Sequence, residues 1–448
     1  MEISGICGRI ADGPAMTSRR EQVQPFSTAG LEPTGHPREV FGRLAELAKT
    51  TRTIIVPVEQ AAGLVTAEPL KADRDSPPFD ASAVDGFAVT RDAFNNINTI
   101  IPLALAAVVM GCAPPILQPG QAIAVPTGGP VPAGACAVIP LEDVIQQAAG
   151  IRIRPAAAAN PQNTNIRKQG ENARAGTVIL PVGRLIHPAA AAGLAAFGYA
   201  HVAVHAPVEV TLISTGDELM SVHEPHKPNA QNAPNVPDEP NEPQWRIRDS
   251  NGPALRVAVG AVKWLHLRRI LHVPDNLESL AAALHEALTD CQSIILTGGV
   301  SVGARDFARP AIESVGGKVQ FHRLAIKPGR PVLGAIGPAR QSIFGLPGNP
   351  VSAQVLFRAF VLDVLATQAG LTEVRGADAL LHLAEPTDSL PTMHWFRPVR
   401  RLGPDRAVCL PGRGSGDIPM MAGSDGFVEI YPGASGSGPY PFYRWSGS

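Results

Sequence analysis

The stretch SIILTGGVSVGARD, residues 293–306, passes from an apolar, β-branched run through two adjacent glycines into a polar loop, and a helical segment follows near 307–315. It reads as a strand whose carboxyl end turns sharply before a helix. The same order repeats on both sides. VEVTLISTGDEL (208–219) is an apolar run ending at Gly216, a helix follows DSNG (249–252), and LRRILHVPD (267–275) is a further strand. The next helix, roughly 277–289, puts Leu277, Leu280, Ala281, Leu284 and Leu288 on one face behind Asn276 as its cap. KVQFHRLAIKPGRPVLGAI (318–336) is hairpin-like, and SIFGLPGNP (342–350) leads into a helix over about 351–368. Strands that keep alternating with helices predict a central, mainly parallel, doubly wound α/β domain over 207–370. Such sheets bind ligands beyond the carboxyl ends of their strands.

Working outward, 37–72 carries a helical stripe of Val40, Phe41, Leu44, Leu47 and Ala48, and an Ala-rich helix fits 188–198. These two helices are expected to pack together, making 37–72 and 184–206 one small discontinuous helical domain. Between them, 73–183 alternates short β-branched runs with Pro and Gly, as in IAVPTGGPVPAG, which predicts a β-rich inserted domain. Residues 371–448 read as short strands, among them WFRPVR and GFVEIYP, forming a small C-terminal β-barrel-like domain. Residues 1–36 read as a flexible leader without the apolar core of a signal peptide. Residues 221–245, with six prolines among polar residues, read as a mobile loop.

Lys and Arg number 38 against 39 Asp and Glu, so no global field exists to hold nucleic acid or an anionic membrane. Forty-four glycines and forty-four prolines fit many turns and exclude a coiled coil. The five cysteines are scattered and never form C-x-x-C, which argues against a disulfide framework or a zinc knuckle and makes the reducing cytosol the expected compartment. Ile100–Leu117 is apolar for about a short membrane span, but Pro102, Pro114 and Pro115 interrupt it, and it reads as buried strands.

Three loops of the α/β domain fall where a ligand is expected. ISTGDEL (213–219) either caps a helix or presents Asp217 and Glu218 at the sheet edge. LTGGVSVGARD (296–306) is either a glycine turn or an anion cradle in which Gly298, Gly299 and Gly303 admit close approach, Ser301 donates and Asp306 holds a divalent cation. It is neither a P-loop nor a dinucleotide fingerprint. GLPGNPVSA (345–353) is a well-capped helix start, and its free N–H groups suit a phosphate. Lys327 and Arg330 are held between prolines in AIKPGRP, as if aimed. In the insertion, PPFDASAVDGFAV (77–89) holds Asp80 and Asp85, where Asp85-Gly86 is equally a hairpin turn. PTGGPVPAG (126–134) presents Thr127, and NIRKQGEN (165–172) presents Arg167, Lys168 and Glu171.

FDASAVDGFAV, TGGPVPAGACAVIPLED, STGDEL, DSNGPAL, GGVSVGARDF, AIKPGRP, LPGNPVSA and GSGDIPMMAGSDGFVEI occur in this order over about 37–433. Together they resemble the molybdopterin molybdenumtransferase family, which includes the bacterial MoeA proteins and the gephyrin E domain. The resemblance implies an elongated homodimer with a composite site, binding adenylylated molybdopterin and molybdate and, with Mg²⁺, releasing molybdenum cofactor and AMP. It implies catalytic roles for Asp85, Thr127, Glu218, Asp306 and Lys327. Substrate contacts fall to Arg167, Asp217, Asp249, Ser250, Asn251, Gly298, Gly299, Ser301, Gly303, Pro328, Arg330, Pro347, Gly348, Asn349, Pro350 and Ser415. Metal ligation falls to Asp249, Asp306 and Glu218, while Asp85, Thr127 and Arg167 come from the opposite subunit. Implied partners are the molybdopterin adenylyltransferase and apo-molybdoenzymes, in the cytoplasm, without nucleic acid or membrane. The chain departs from the pattern at Asn172 and Gln292, where the family commonly has acids, at Arg330, where it often has Lys, and at Ala81 and Phe87. These departures set an active insertase against a paralogue that binds pterin or a partner without turnover.

Overall fold

The computed structural model describes residues 35–95, 99–155, 165–223, 246–300, 306–373, 376–388 and 390–445. Nearly all of the expected leader, all but the first three residues of the expected 221–245 loop, and Ser301 and Gly303 lie outside them. The α/β domain contains strands β1 (Val208–Thr215), β2 (Leu265–Val273), β3 (Ser293–Thr297), β4 (Lys318–His322), β5 (Leu333–Ile336) and β6 (Ser342–Leu346), in sheet order β2-β1-β3-β6-β5-β4. β2, β1, β3 and β6 run parallel, and β5 is antiparallel to both β6 and β4. Every residue of β3 and β6 is buried, which is why these segments read as unbroken apolar runs rather than as alternating ones. Helices Asn251–Gly260, Leu277–Ala287 and Ala308–Ser314 cover the sheet, the second capped by the Asn276 side chain accepting from the Ser279 N–H at 2.9 Å.

Helix α1 (Pro37–Leu47) ends after eleven residues, and Thr53–Pro57 then forms a strand antiparallel to His201–His205. The helical stripe expected across 37–72 therefore holds only for its first part, and the β-branched run TIIVP ends it. The expected packing of α1 on the Ala-rich helix Pro188–Ala196 is also not what forms. The Ala-rich helix buries only Leu194, in a small cluster with Val58, Leu70, Ile186 and Val204. α1 instead joins the main core through Phe41, whose ring stacks on Phe360 at 4.9 Å and meets Phe321 edge-on at 5.0 Å. An aromatic needs partners of its own size, and alanines offer none.

Phe360 belongs to α2 (Pro350–Gln368), a long helix with a π-helical turn at Phe357–Val361. It is apolar and long enough to cross a membrane, and 78% of it is buried between the sheet, α1 and the C-terminal domain. In that last domain, strands 379–383, 394–401, 406–409, 426–430 and 440–444 close on themselves as a five-stranded barrel, because 426–430 pairs with both 440–444 and 394–401. The two-residue strand Ile326–Lys327 adds in parallel to 394–395 and ties barrel to α/β domain.

The insertion is a set of short antiparallel pairs, with Gly86–Val89 central between Ala122–Val125 and Ala137–Pro140. The expectation of buried strands over 100–117 is corrected: this stretch is irregular, and only Ile101, Val108 and Leu117 are buried. Its prolines remove ladder donors and Gly111 takes a positive φ, so Leu103, Leu105, Val109, Met110 and Ile116 remain exposed. Removing the Phe41 ring should cost about 3–5 kcal/mol, the usual penalty for a buried Phe→Ala change. Urea denaturation of Phe41→Ala followed by circular dichroism checks this, with a midpoint equal to the parent's as the contrary result.

Candidate active site

The loops at the carboxyl edge touch one another through glycines. A Cβ on Gly298, where φ is +92°, would stand 2.4 Å from the Thr215 carbonyl oxygen, so the β3 loop lies directly on the end of β1. A Cβ on Gly348 would lie 3.9 Å from Gly298 Cα, which brings in the β6 loop. Asn251, 6% exposed, donates from Nδ2 to the Gly348 carbonyl at 2.7 Å, while its Oδ1 is buried with no partner among the described residues. Glu218 folds back on Gly216. Asp217 accepts the Asp275 N–H at 3.1 Å, and Asp275 accepts the Thr215 hydroxyl at 2.9 Å, so Asp275 is a structural member of this edge that the sequence reading missed. Asp249 Oδ1 accepts the Gly252 N–H at 3.0 Å, holding the start of the 251–260 helix. No helix begins at ISTGDEL, which leads instead into the short strand Leu219–Met220. Asn349 starts its helix without a side-chain cap bond, so the capping reading fails for the first loop and holds for the third only in the helix start itself.

Asp306 follows the β3 loop. Its Oδ1 is buried without a hydrogen-bond partner among the described residues, and its Oδ2 stands 3.9 Å from His322 Nε2. Burial pushes its carboxyl above the usual range, against the pull of His322. A buried carboxylate oxygen without a hydrogen-bond partner is one that a cation would satisfy.

Beside this edge lies a cavity of about 620 Å³ between the 326–331 loop, the start of α2 and the barrel. Lys327, Pro328, Arg330, Pro347, Asn349 and Ser415 all line it, from three regions far apart in sequence. The Ser415 carbonyl accepts the Val351 N–H at 3.1 Å, which pins the barrel loop to the first turn of α2. Trp395, Arg397, Ser352, Met393 and Met420 are also among the lining residues and were not singled out from sequence. The signal was present in HWFRPVR: strand alternation buries His394, Phe396 and Pro398 and turns Trp395 and Arg397 to the opposite face. Lys327 Nζ lies 5.3 Å and the Arg397 guanidinium 4.7 Å from the Trp395 ring centroid, and Arg397 donates to Thr387 Oγ1 at 2.9 Å.

In the insertion, Asp85 Oδ1 accepts the Thr127 N–H at 2.7 Å, so this pair is assembled as expected. Gly86 is no hairpin turn. It opens a central strand, and a Cβ there would strike the Ile139 carbonyl oxygen at 2.1 Å. Arg167 donates from Nε to Glu171 at 2.6 Å and from Nη2 to Asn172 Oδ1 at 2.7 Å, while Lys168 pairs with Asp80 at 2.8 Å. Among the described residues, no hydrogen bond or ion pair joins Asp85, Thr127 or Arg167 to the sheet-edge loops. Gln292 lies elsewhere altogether. It precedes β3 at the amino edge of the sheet, where its Oε1 accepts the Glu209 N–H at 2.7 Å. Its difference from the family pattern therefore does not touch the site.

One other cluster deserves a decision: His36, His394 and Glu429 hold ligand-type atoms within 4.8 Å of one another, the single such group among the described residues. His36 Nδ1 accepts the Arg38 N–H at 3.1 Å, so in the neutral ring Nε2 carries the proton and cannot ligate. Glu429 is already engaged by His394 at 2.8 Å and by the Tyr443 hydroxyl at 2.9 Å. The cluster is a structural hydrogen-bond network.

A doubly wound sheet with a glycine-built carboxyl edge and an adjoining cavity lined by Lys327, Arg330 and Arg397 places this chain in the class of α/β proteins whose binding edge lies beyond the strand ends. Residues 36–198 match the family model of the MoeA N-terminal region (domain I and II), and residues 211–367 that of a probable molybdopterin binding domain. A molybdopterin molybdenumtransferase of Synechococcus elongatus is 34% identical over 72% of this chain and 77% of its own length, and molybdopterin molybdenumtransferase 2 of Mycobacterium tuberculosis is 34% identical over 74% and 78%. The crystal structure of the molybdopterin biosynthesis MoeA protein from Pyrococcus horikoshii OT3 superposes with a TM-score of 0.72 at 27% identity, covering 91% of this chain and 98% of that one. The chain belongs to the molybdopterin molybdenumtransferase family. Gln292→Asp, which alters only the amino edge, should leave turnover within about two-fold of the parent and shift stability by about 1 kcal/mol or less. Steady-state assays beside thermal unfolding check this, and a large change in rate would return Gln292 to the site.

Proposed function

We propose that this protein inserts molybdenum into adenylylated molybdopterin, hydrolysing the phosphoanhydride and releasing molybdenum cofactor and AMP. The observation that carries this reading is the convergence of Lys327, Arg330, Arg397 and Ser415 on one cavity beside a glycine-built edge. A tetrahedral oxyanion needs several donors and positive charge at once, and this cavity offers both. Molybdate is the occupant in this reading. Gly298, Gly299, Ser301, Gly303, Pro347, Gly348, Asn349 and Pro350 would receive the pterin phosphate and pyrophosphate, with Asp217, Ser250 and Asn251 orienting the ligand. Arg330 in place of Lys keeps the charge and presents a planar fork to the anion.

Asp306, Glu218 and Asp249 would hold Mg²⁺. All three offer the carboxylate oxygens that a hard cation takes, and Asp306 Oδ1 is buried without a hydrogen-bond partner among the described residues. The three carboxylates do not form a group with oxygens within 4.8 Å of one another, so the ion would have to draw them together. When bound, the ion would offset the charge that develops on the bridging phosphate oxygens. Asp249 has one oxygen committed to the Gly252 N–H, which leaves its other oxygen for this duty. In this reading Asp85, which accepts the Thr127 N–H, and Arg167, which pairs with Glu171, come from the partner's insertion in a homodimer and complete the site. The remaining assignments, a cytoplasmic location and hand-over between the adenylyltransferase and apo-molybdoenzymes, follow from the same reading.

A pterin-binding paralogue without turnover is the second reading, and Asn172 favours it, because an amide stands beside Arg167 where an acid is common. AMP release from adenylylated molybdopterin, measured with and without molybdate, separates the two. Molybdate-dependent AMP is expected; tight binding without AMP would establish the paralogue. Asp306→Asn and Lys327→Ala should each lower turnover by about 10²-fold or more, with the oligomeric state retained. The Asp306 carboxyl is raised in the fold, so its ionisation costs stability, a cost that grows as pH rises from the ordinary carboxylate value through the raised one. Asp306→Asn removes that cost and should keep or raise the thermal midpoint at pH 7 while activity falls. A lowered midpoint with full activity would refute this assignment.

A further inference from the structure

Two cations in one open cavity repel each other, and the long stem of Lys327 gives it many conformations to choose from. Something must hold them, and the structure shows what does. Lys327 and Trp395 are register partners where the two-residue strand joins the barrel. Arg397 sits two residues further along the same strand face. The indole of Trp395 thus lies within cation–π range of both, at 5.3 and 4.7 Å. Its neighbour Phe396 is buried in the core shared with α2, and Trp395 itself packs against the barrel's apolar cluster, so the strand cannot rotate the ring away without breaking both. The second contact of Arg397, to Thr387 Oγ1, fixes it from the far side.

We propose that Trp395 is the positioning residue of the oxyanion cavity: its ring holds Lys327 and Arg397 at the spacing a tetrahedral dianion requires. The inference rests on the oxyanion reading of the cavity and deepens it. The ring touches neither the pterin nor the reacting phosphorus in this scheme. Its loss acts through the two cations, and it acts on molybdate affinity rather than on the hydrolytic step. A ring that merely filled space would be replaced by any side chain of similar volume.

The test uses the purified full chain, with molybdate binding read by equilibrium dialysis and elemental analysis. Trp395→Leu should weaken molybdate binding about ten-fold and raise KM for molybdate in step, with KM for adenylylated molybdopterin unchanged. Trp395→Phe, which keeps an aromatic face, should recover most of the affinity. Should Trp395→Leu fold poorly, site-specific fluorotryptophans at 395 keep the shape and weaken the ring face stepwise, and affinity should fall with each added fluorine. If Lys327→Ala weakens molybdate binding but Trp395→Leu or the fluorinated series does not, this proposal fails and the oxyanion reading stands. If neither Lys327→Ala nor Trp395→Leu alters molybdate binding, the oxyanion reading fails and takes this proposal with it. Loss in Trp395→Leu without recovery in Trp395→Phe, or a flat response to fluorination, also overturns it.

Discussion

The burial of α2 is the constraint on which the remaining architecture depends. Its nineteen residues lie between the β-sheet, α1 and the barrel, and Phe360 alone meets Phe41 of α1 and Phe396 of the barrel. A helix enclosed in this way fixes three bodies relative to one another, and the site is built where its amino end emerges. Asn349 and Pro350 start it, Val351 receives the Ser415 loop, and the cavity opens over that first turn. The helix carries one buried cation, Arg358, at 3% exposure in its π-helical turn. It is matched by Asp378 at 2.6 Å and by the Arg444 carbonyl at 2.9 Å, so the charge is fully engaged in fixing the helix to the barrel.

A second layer of polar contacts sits beneath the strand that bears Trp395. Arg38 at the start of α1 pairs with Asp363 of α2 at 2.9 Å and reaches the Tyr443 hydroxyl, which in turn donates to Glu429. Burial pushes Asp363 up to about 6 even with Arg38 beside it. Burial acts in the same direction on Glu429, but hydrogen bonds from His394 and Tyr443, with Arg38 nearby, outweigh it and hold that carboxyl below its usual value. Glu429 therefore stays ionised, and His394 stays tied to it. His394 immediately precedes Trp395, so this network anchors the strand from one face while the Trp395 ring packs against the barrel's apolar cluster on the other.

The strand–loop–helix order was legible because the inner strands β3 and β6 are buried on both faces and because glycines with a steric reason to be there follow β1, β3 and β6. Gly298 could not bear a Cβ against Thr215, nor Gly86 against Ile139, and such positions appear in sequence as glycines beside polar residues. What escaped sequence reading depends on partners that no local pattern encodes. Phe41 found aromatic partners more than 270 residues away in Phe321 and Phe360, so the α1 stripe announced burial without saying against what. The 100–117 stretch has apolar composition but too many prolines to pair, and composition outvoted backbone chemistry in the reading. Arg397 and Trp395 were hidden because alternation shows which residues share a face and leaves open what that face meets. Gln292 was misjudged because motif spacing conveys no distance: six residues of extended chain carry it to the other edge of the sheet.

Asn172 bears on whether that site works, and electrostatics favours activity. In the insertion loop, Arg167 and Lys168 are matched by Glu171 and Asp80, two cations against two carboxylates, all exposed. An Asp at 172 would add a third carboxylate and leave the loop net negative, facing a ligand that carries several phosphate charges. The amide instead accepts from Arg167 without charge, so the guanidinium keeps its orientation while the loop stays neutral. An amide cannot compensate a metal ion, but among the described residues the sheet-edge carboxylate with an unpartnered buried oxygen is Asp306. In the proposed reaction the cation therefore belongs to the α/β domain, and a neutral residue at 172 removes repulsion from the incoming anion.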